Sequence, residues 1–150
     1  GWPEGTQTAY VAFARRKPIV CVHNLLDGTR TVLANYEGSN SAPTWTPDGK
    51  KLALVLTKDG TSNLYLIGAD GKGLVRLTNT QAIATEPSFS PDGKFILFTS
   101  DRAGTPQSYR MRPDGQGEAA RLTFDGTDTV TPGHSPARKY FNLLHPGESP

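Results

Sequence analysis

The chain is short of cysteine, of long apolar runs and of charge of one sign, and each shortage excludes something. Cys21 stands alone among 150 residues. No internal disulfide can form, and zinc sites built from several cysteines are ruled out. No stretch approaches the roughly 20 apolar residues that a membrane-spanning helix needs. Sixteen basic residues against 14 acidic ones leave a formal net charge of +2. That is too small and too scattered to indicate nucleic acid or an anionic membrane surface. The start, Gly1-Trp2-Pro3-Glu4-Gly5, has neither the basic beginning nor the apolar stretch of a signal peptide. Catalytic signatures are equally scarce. The three histidines, His23, His134 and His145, have no metal-ligand spacing, and no H-E-x-x-H or G-x-S-x-G pattern occurs. Neither a metal nor a cofactor is expected, and the chain reads as no enzyme.

What is abundant is turn residues, 16 glycines and 12 prolines, and they fall at regular intervals. Pro43-Thr44-Trp45-Thr46-Pro47-Asp48-Gly49-Lys50 returns 44 residues later as Pro87-Ser88-Phe89-Ser90-Pro91-Asp92-Gly93-Lys94. The same offset carries Leu52-Ala53-Leu54 onto Ile96-Leu97-Phe98. Arg76-Leu77-Thr78 recurs as Arg121-Leu122-Thr123, 45 residues on. A worn earlier copy runs from Trp2-Pro3-Glu4-Gly5 through Thr8-Ala9-Tyr10-Val11 to Thr31-Val32-Leu33. A fourth begins at Thr131-Pro132-Gly133-His134-Ser135-Pro136 and loses the pattern after Phe141. Such a period is the signature of a repeat architecture.

Each period holds four short strand-like runs between turn residues. In the second copy they are Pro43–Thr46, Lys51–Thr57, Asn63–Ile67 and Leu74–Thr78. Pro47-Asp48-Gly49 is a turn with a mechanism: proline presets φ, aspartate caps its own backbone and glycine takes positive φ. Lys58-Asp59-Gly60 and Ala69-Asp70-Gly71 mark the next two turns. No window keeps a helical apolar spacing between these breakers. Four antiparallel strands per period of about 40–50 residues predicts an all-β fold of β-propeller blades. The strand holding Trp45 or Phe89 is expected innermost and the Leu-Thr strand outermost. Leu52, Leu54, Leu56, Ile96 and Phe98 are expected between blades. The predicted division is a partial blade over 1–40, blades over 41–84 and 85–130, and the degenerate start of another over 131–150. The first copy lacks its innermost strand. About three blades make an incomplete propeller, since closed rings need roughly four to eight. The chain is therefore expected to be a fragment, or a unit that self-associates through open blade edges.

The recurring pattern of Pro, an aromatic, Ser/Thr-Pro-Asp-Gly-Lys and a later Arg-Leu-Thr resembles the PD40 propeller repeat. Asn40-Ser41-Ala42-Pro43, and the run from Thr85-Glu86-Pro87 through Phe98-Thr99-Ser100-Asp101-Arg102-Ala103-Gly104, are similar to the TolB family. The resemblance implies a six-bladed propeller behind a smaller N-terminal α/β domain, in the periplasm, with no catalytic activity. It implies that one propeller face, near the channel mouth, binds the peptidoglycan-associated lipoprotein Pal. TolA contact is not expected, because the N-terminal domain that makes it is absent from this sequence. The positions just before the innermost strands carry the Pal-binding face by resemblance: Ser39 and Ala42 before Pro43, Thr85 and Glu86 before Pro87, and Thr131 before Pro132. Such loops converge on one rim, so each blade lends that surface a few side chains.

Plainer readings stand beside these. Asp48 and Asp92 are expected to shape turns and not to bind metal. Trp45 and Phe89 are expected to pack at the blade base, and Tyr65, Tyr109 and Cys21 to be half-buried in strands. Arg76 and Arg121 are read as ion-paired or solvated, and Asp101-Arg102-Ala103-Gly104 as a stabilised turn. Glu86 either pairs with a basic residue of a partner or is a solvated loop carboxylate. The competing function is the propeller of a prolyl-oligopeptidase-type peptidase, gating a separate hydrolase domain. A purely structural, eroded copy with no function of its own is the third reading.

Overall fold

In the computed structural model, residues 6–124 are described; Trp2-Pro3-Glu4-Gly5, the repeat beginning at Thr131 and the division beyond Phe124 lie outside them. The described chain is eleven β-strands in three antiparallel sheets. The first sheet has β1 (Gln7–Ala14), β2 (Lys17–Asn24) and β3 (Arg30–Ala34). The second runs β4 (Asn40–Trp45), β5 (Lys51–Leu56), β6 (Asn63–Gly68) and β7 (Val75–Arg76). The third runs β8 (Ala84–Phe89), β9 (Ile96–Ser100), β10 (Gln107–Met111) and β11 (Ala120–Arg121). Each sheet is a meander in chain order, so every strand pairs with its neighbour in sequence. No described residue is in a helix long and apolar enough to cross a membrane.

Register shows which strands the first sheet possesses. Tyr10 pairs with Cys21 and Cys21 with Val32, as Leu54 pairs with Tyr65 and Tyr65 with Arg76. All three positions are offset by 44. The strands β1, β2 and β3 therefore correspond to the second, third and fourth strands of a blade. No innermost strand precedes them among the described residues.

Two apolar clusters join the sheets. Val20, Val22, Leu33 and Ala34 of the first sheet meet Leu52, Leu54, Leu56, Tyr65 and Ile67 of the second, with Trp45 packed against them. Val55, Leu64 and Leu77 of the second sheet meet Ile96, Phe98, Tyr109 and Met111 of the third, with Phe89 and Ala42 packed against them. The central strand β5 is thus buried on both faces, which explains its unbroken run Leu52-Ala53-Leu54-Val55-Leu56. Trp45 and Phe89 reach the equivalent places in successive clusters, as packing at the blade base requires. Tyr65, Tyr109 and Cys21 are buried and not half-buried. Tyr65 and Tyr109 belong to the clusters between the sheets, which leaves their rings little exposed face.

The turns follow their residues. Asp48 accepts the Thr46 hydroxyl at 2.6 Å and the Lys50 N–H at 3.0 Å. Asp92 accepts the Ser90 hydroxyl at 2.7 Å and the Lys94 N–H at 3.0 Å. Gly49 and Gly93 both take φ 71°, which costs a residue without Cβ nothing. The hydroxyl contacts above all, and then the backbone N–H groups, hold both carboxyls below the usual carboxylate range. Among the described residues, no group of three or more potential metal ligands gathers.

The outermost strands are shorter than Leu74–Thr78 suggests, with only Val75 and Arg76 in the ladder of the second sheet. A side chain takes over where the ladder stops. The Thr78 hydroxyl accepts the Leu64 N–H and donates to Asn63 Oδ1, both at 2.9 Å. Thr123 repeats this, accepting from the Ser108 N–H and donating to Gln107 Oε1, both at 2.7 Å. Arg76 and Arg121 each turn Nε onto the carbonyl two residues ahead, at 2.8 Å.

Candidate partner-binding rim

The loops entering the innermost strands β4 and β8 lie at one end of the sheets. Their partners there are the turns that join second to third strands. Asn40 Nδ2 donates to the Pro18 carbonyl at 3.1 Å, tying the second sheet to the first. The Ser39 N–H donates to Thr57 Oγ1 at 2.8 Å. In the next repeat the Ala84 N–H reaches the Ser62 carbonyl at 2.8 Å and the Ile83 N–H reaches Asp101 Oδ1 at 2.9 Å. Asp101 therefore braces the loop before Thr85, beyond shaping its own turn. Asn40 is completely buried and fully used, since it also donates to the Tyr36 carbonyl and accepts the Tyr36 N–H. An unpaired amide in that place would be costly, so the loop is held in one arrangement.

Gly38 has the tightest requirement in this loop. At φ 82°, a Cβ there would stand 2.4 Å from Thr57 Oγ1, the atom that receives the Ser39 N–H.

Both innermost strands then bulge at the same repeat position. Ser41 pairs with Val55 and Thr44 with Ala53, so Ala42 and Pro43 together face Leu54. Thr85 pairs with Thr99 and Ser88 with Leu97, so Glu86 and Pro87 together face Phe98. Ala42 and Glu86 carry the strain, at φ 52° and 55°, a left-handed conformation that non-glycine residues enter at a cost of roughly 1–2 kcal/mol. Bulges of this kind re-aim a side chain out of the regular ladder.

The expected site residues therefore divide. Ala42 and Glu86 are true counterparts, whereas the counterpart of Thr85 is Ser41 and that of Ser39 is Ile83. The 44-residue offset that carries Pro43 onto Pro87 also carries Ser41 onto Thr85, so the repeat itself is the signal that could have found Ser41. Ala42 packs into the cluster between second and third sheets. Glu86, on the corresponding face of the third sheet, is exposed and accepts the Thr99 hydroxyl at 3.1 Å. Ser39 and Thr85 are half-buried at the same end of the sheets. Thr131 lies outside the described residues.

The opposite end differs in character. A cavity of about 220 Å³ lies there between the first and second sheets, lined by Gln7, Val22, Asn24, Thr31, Leu33 and Asp70 among others. Its carboxylate is already engaged, with Asp70 Oδ1 accepting the Lys72 N–H at 3.0 Å.

Comparison with known proteins decides the family. The model of the TolB beta propeller domain, PD40, matches residues 2–149. The chain belongs to the TolB β-propeller family. It is 42% identical over 59 residues to the Tol-Pal system protein TolB of Alcanivorax borkumensis, a match over 39% of this chain and 14% of that one. It is 58% identical over 40 residues to the Tol-Pal system protein TolB of Methylobacillus flagellatus, over 27% and 9%. The matches to these curated TolB proteins span a seventh of their length or less. The crystal structure of TolB from Acinetobacter baumannii superposes with a TM-score of 0.74 at 38% identity, covering 83% of this chain and 31% of that one. A puromycin-hydrolyzing peptidase of Mycobacterium tuberculosis shares the fold alone, at a TM-score of 0.67 and 18% identity over 81% and 21% of the two chains.

Proposed function

We propose that this TolB-family chain is a non-enzymatic docking module of the Tol–Pal system. The end bearing Ser39, Ala42, Thr85 and Glu86 receives the lipoprotein Pal in the periplasm, in the service of cell-envelope maintenance and division. Segments 41–84 and 85–130 are read as one blade each, 1–40 as a partial blade and 131–150 as the start of another. The observation that carries this reading is the strained bulge repeated at Ala42 and Glu86. Strain kept at the same place in two blades is of the kind that gathers at functional surfaces. A braced loop beside it supplies the preorganisation that protein recognition rewards.

Glu86 is the cleanest probe of the rim, because its side chain is exposed and its one internal contact is with an exposed-side hydroxyl. Calorimetric titration of soluble Pal into the chain is expected to show Glu86→Lys weakening affinity about tenfold or more. Equal affinity for the variant and the parent chain would remove Glu86 from the site.

A further inference from the structure

The first hairpin ends in a turn that its residues do not favour. Ala14 pairs with Lys17, which leaves Arg15 and Arg16 as a two-residue loop. Both are left-handed, at φ 52° and 67°. That is the turn geometry for which Asn-Gly is preferred. Here it holds two arginines out into solvent, followed by Lys17. None of the three cations makes an ion pair among the described residues. Phe13, two residues before the turn, is 75% exposed, the highest value among the large apolar side chains that are exposed. The corresponding loops of the second and third sheets are built otherwise. There the cation lies down on an aromatic ring, Lys58 over Tyr65 at 5.7 Å and Arg102 over Tyr109 at 4.9 Å. Among the described residues, only the first sheet combines a tight turn with cations outside any ion pair and an exposed aromatic.

This tip adjoins the candidate rim. Pro18, which follows Lys17, accepts the Asn40 side chain, and Asn40 follows Ser39. The geometry points to the hairpin tip Phe13-Ala14-Arg15-Arg16-Lys17 as a second contact element, which takes an acidic segment of a protein partner carrying an apolar residue next to its carboxylates. The inference rests on the reading of this end as a docking rim. Arginine and aromatic side chains are the residues that anchor protein interfaces, and unpaired cations lose no internal partner on binding. An anionic membrane plane fits less well. It would also meet the exposed Glu37 and Glu86 at this end, and a single exposed aromatic gives a weak interfacial anchor.

The test substitutes Arg15→Asn together with Arg16→Gly, which removes two charges while installing the pair the turn prefers. Melting temperature should hold or rise, so lost binding cannot be ascribed to lost folding. The first probe is a synthetic peptide of alternating glutamate and leucine. It should bind the parent chain with an affinity that falls as salt rises, and the double variant should bind it at least about tenfold more weakly. Phe13→Ser should weaken binding without changing the salt dependence. Equal binding of the peptide by parent and variant, or no binding to either, overturns the proposal. So does binding to phosphatidylglycerol vesicles in place of the peptide. The second probe is soluble Pal. Peptide binding that depends on the tip, with no Pal binding by the parent chain, would sink the Pal reading and leave the tip assignment standing.

Discussion

At the residue scale, stability concentrates in a few polar side chains that finish what the backbone ladder leaves undone. Thr78 is buried and serves both as acceptor for the Leu64 N–H and as donor to Asn63. Thr78→Val keeps the shape and orphans both buried partners, and should cost about 1–3 kcal/mol in urea unfolding. A loss below a few tenths would show that the hydroxyl pins nothing. The carboxyls give a pH signature. Contacts from hydroxyls hold Asp48, Asp92 and Asp59 low, the last chiefly through the Tyr65 hydroxyl. A lowered folded value means that the ionised form favours the fold. This contribution is complete above about pH 4 and is lost as pH falls through the lowered values. Tyr65 has the opposite sign. Burial first and then Asp59 push it up to about 12, so its contribution is intact below about pH 10 and fades between there and 12. Thermal melts across both windows should show these two slopes, and flat stability below pH 4 would contradict the first. The Arg-Leu-Thr motif is plain in the sequence, but the work of its threonine is not. A hydroxyl that replaces a ladder bond is defined only by register.

At the scale of elements, the two-residue bulges decide what each loop can present. Ala42→Gly should be tolerated, since glycine enters the left-handed region freely, whereas Ala42→Val should lose about 1–2 kcal/mol or more because a β-branched residue resists it. Equal stability of the two variants would show that no strain resides there. Ala42→Arg is a poor probe of binding, because Ala42 points into the cluster between the sheets and a long cation there disturbs packing. Most strands were legible, since Pro-Asp-Gly and Lys-Asp-Gly announce their turns with residues whose backbone preferences are strong. The Arg15-Arg16 turn was not, because neither residue favours the conformation it adopts. The pairing of β1 with β2 imposes it. Ser41 was legible as the counterpart of Thr85 from the 44-residue offset alone; the bulge that follows each of them was not, because one extra residue in a strand leaves no mark in composition.

At the scale of the molecule, two apolar clusters hold three sheets together, and the 44-residue period legible in the sequence is what stacks them. Leu54 is completely buried in the first cluster, and Leu54→Ala should cost about 2–5 kcal/mol. The repeat also placed the loops before β4 and β8 at one end, which is as far as sequence could carry the site. Which side chains reach solvent there depends on the bulges and on the buried Asn40. Hydrogen exchange of the chain, with and without soluble Pal, tests the location of the surface most directly. The account predicts slowed exchange in the loops and strand starts around 36–42 and 80–86, with the Pro-Asp-Gly turns at 47–49 and 91–93 unchanged. Protection confined to those turns, at the far end of the sheets, would contradict it.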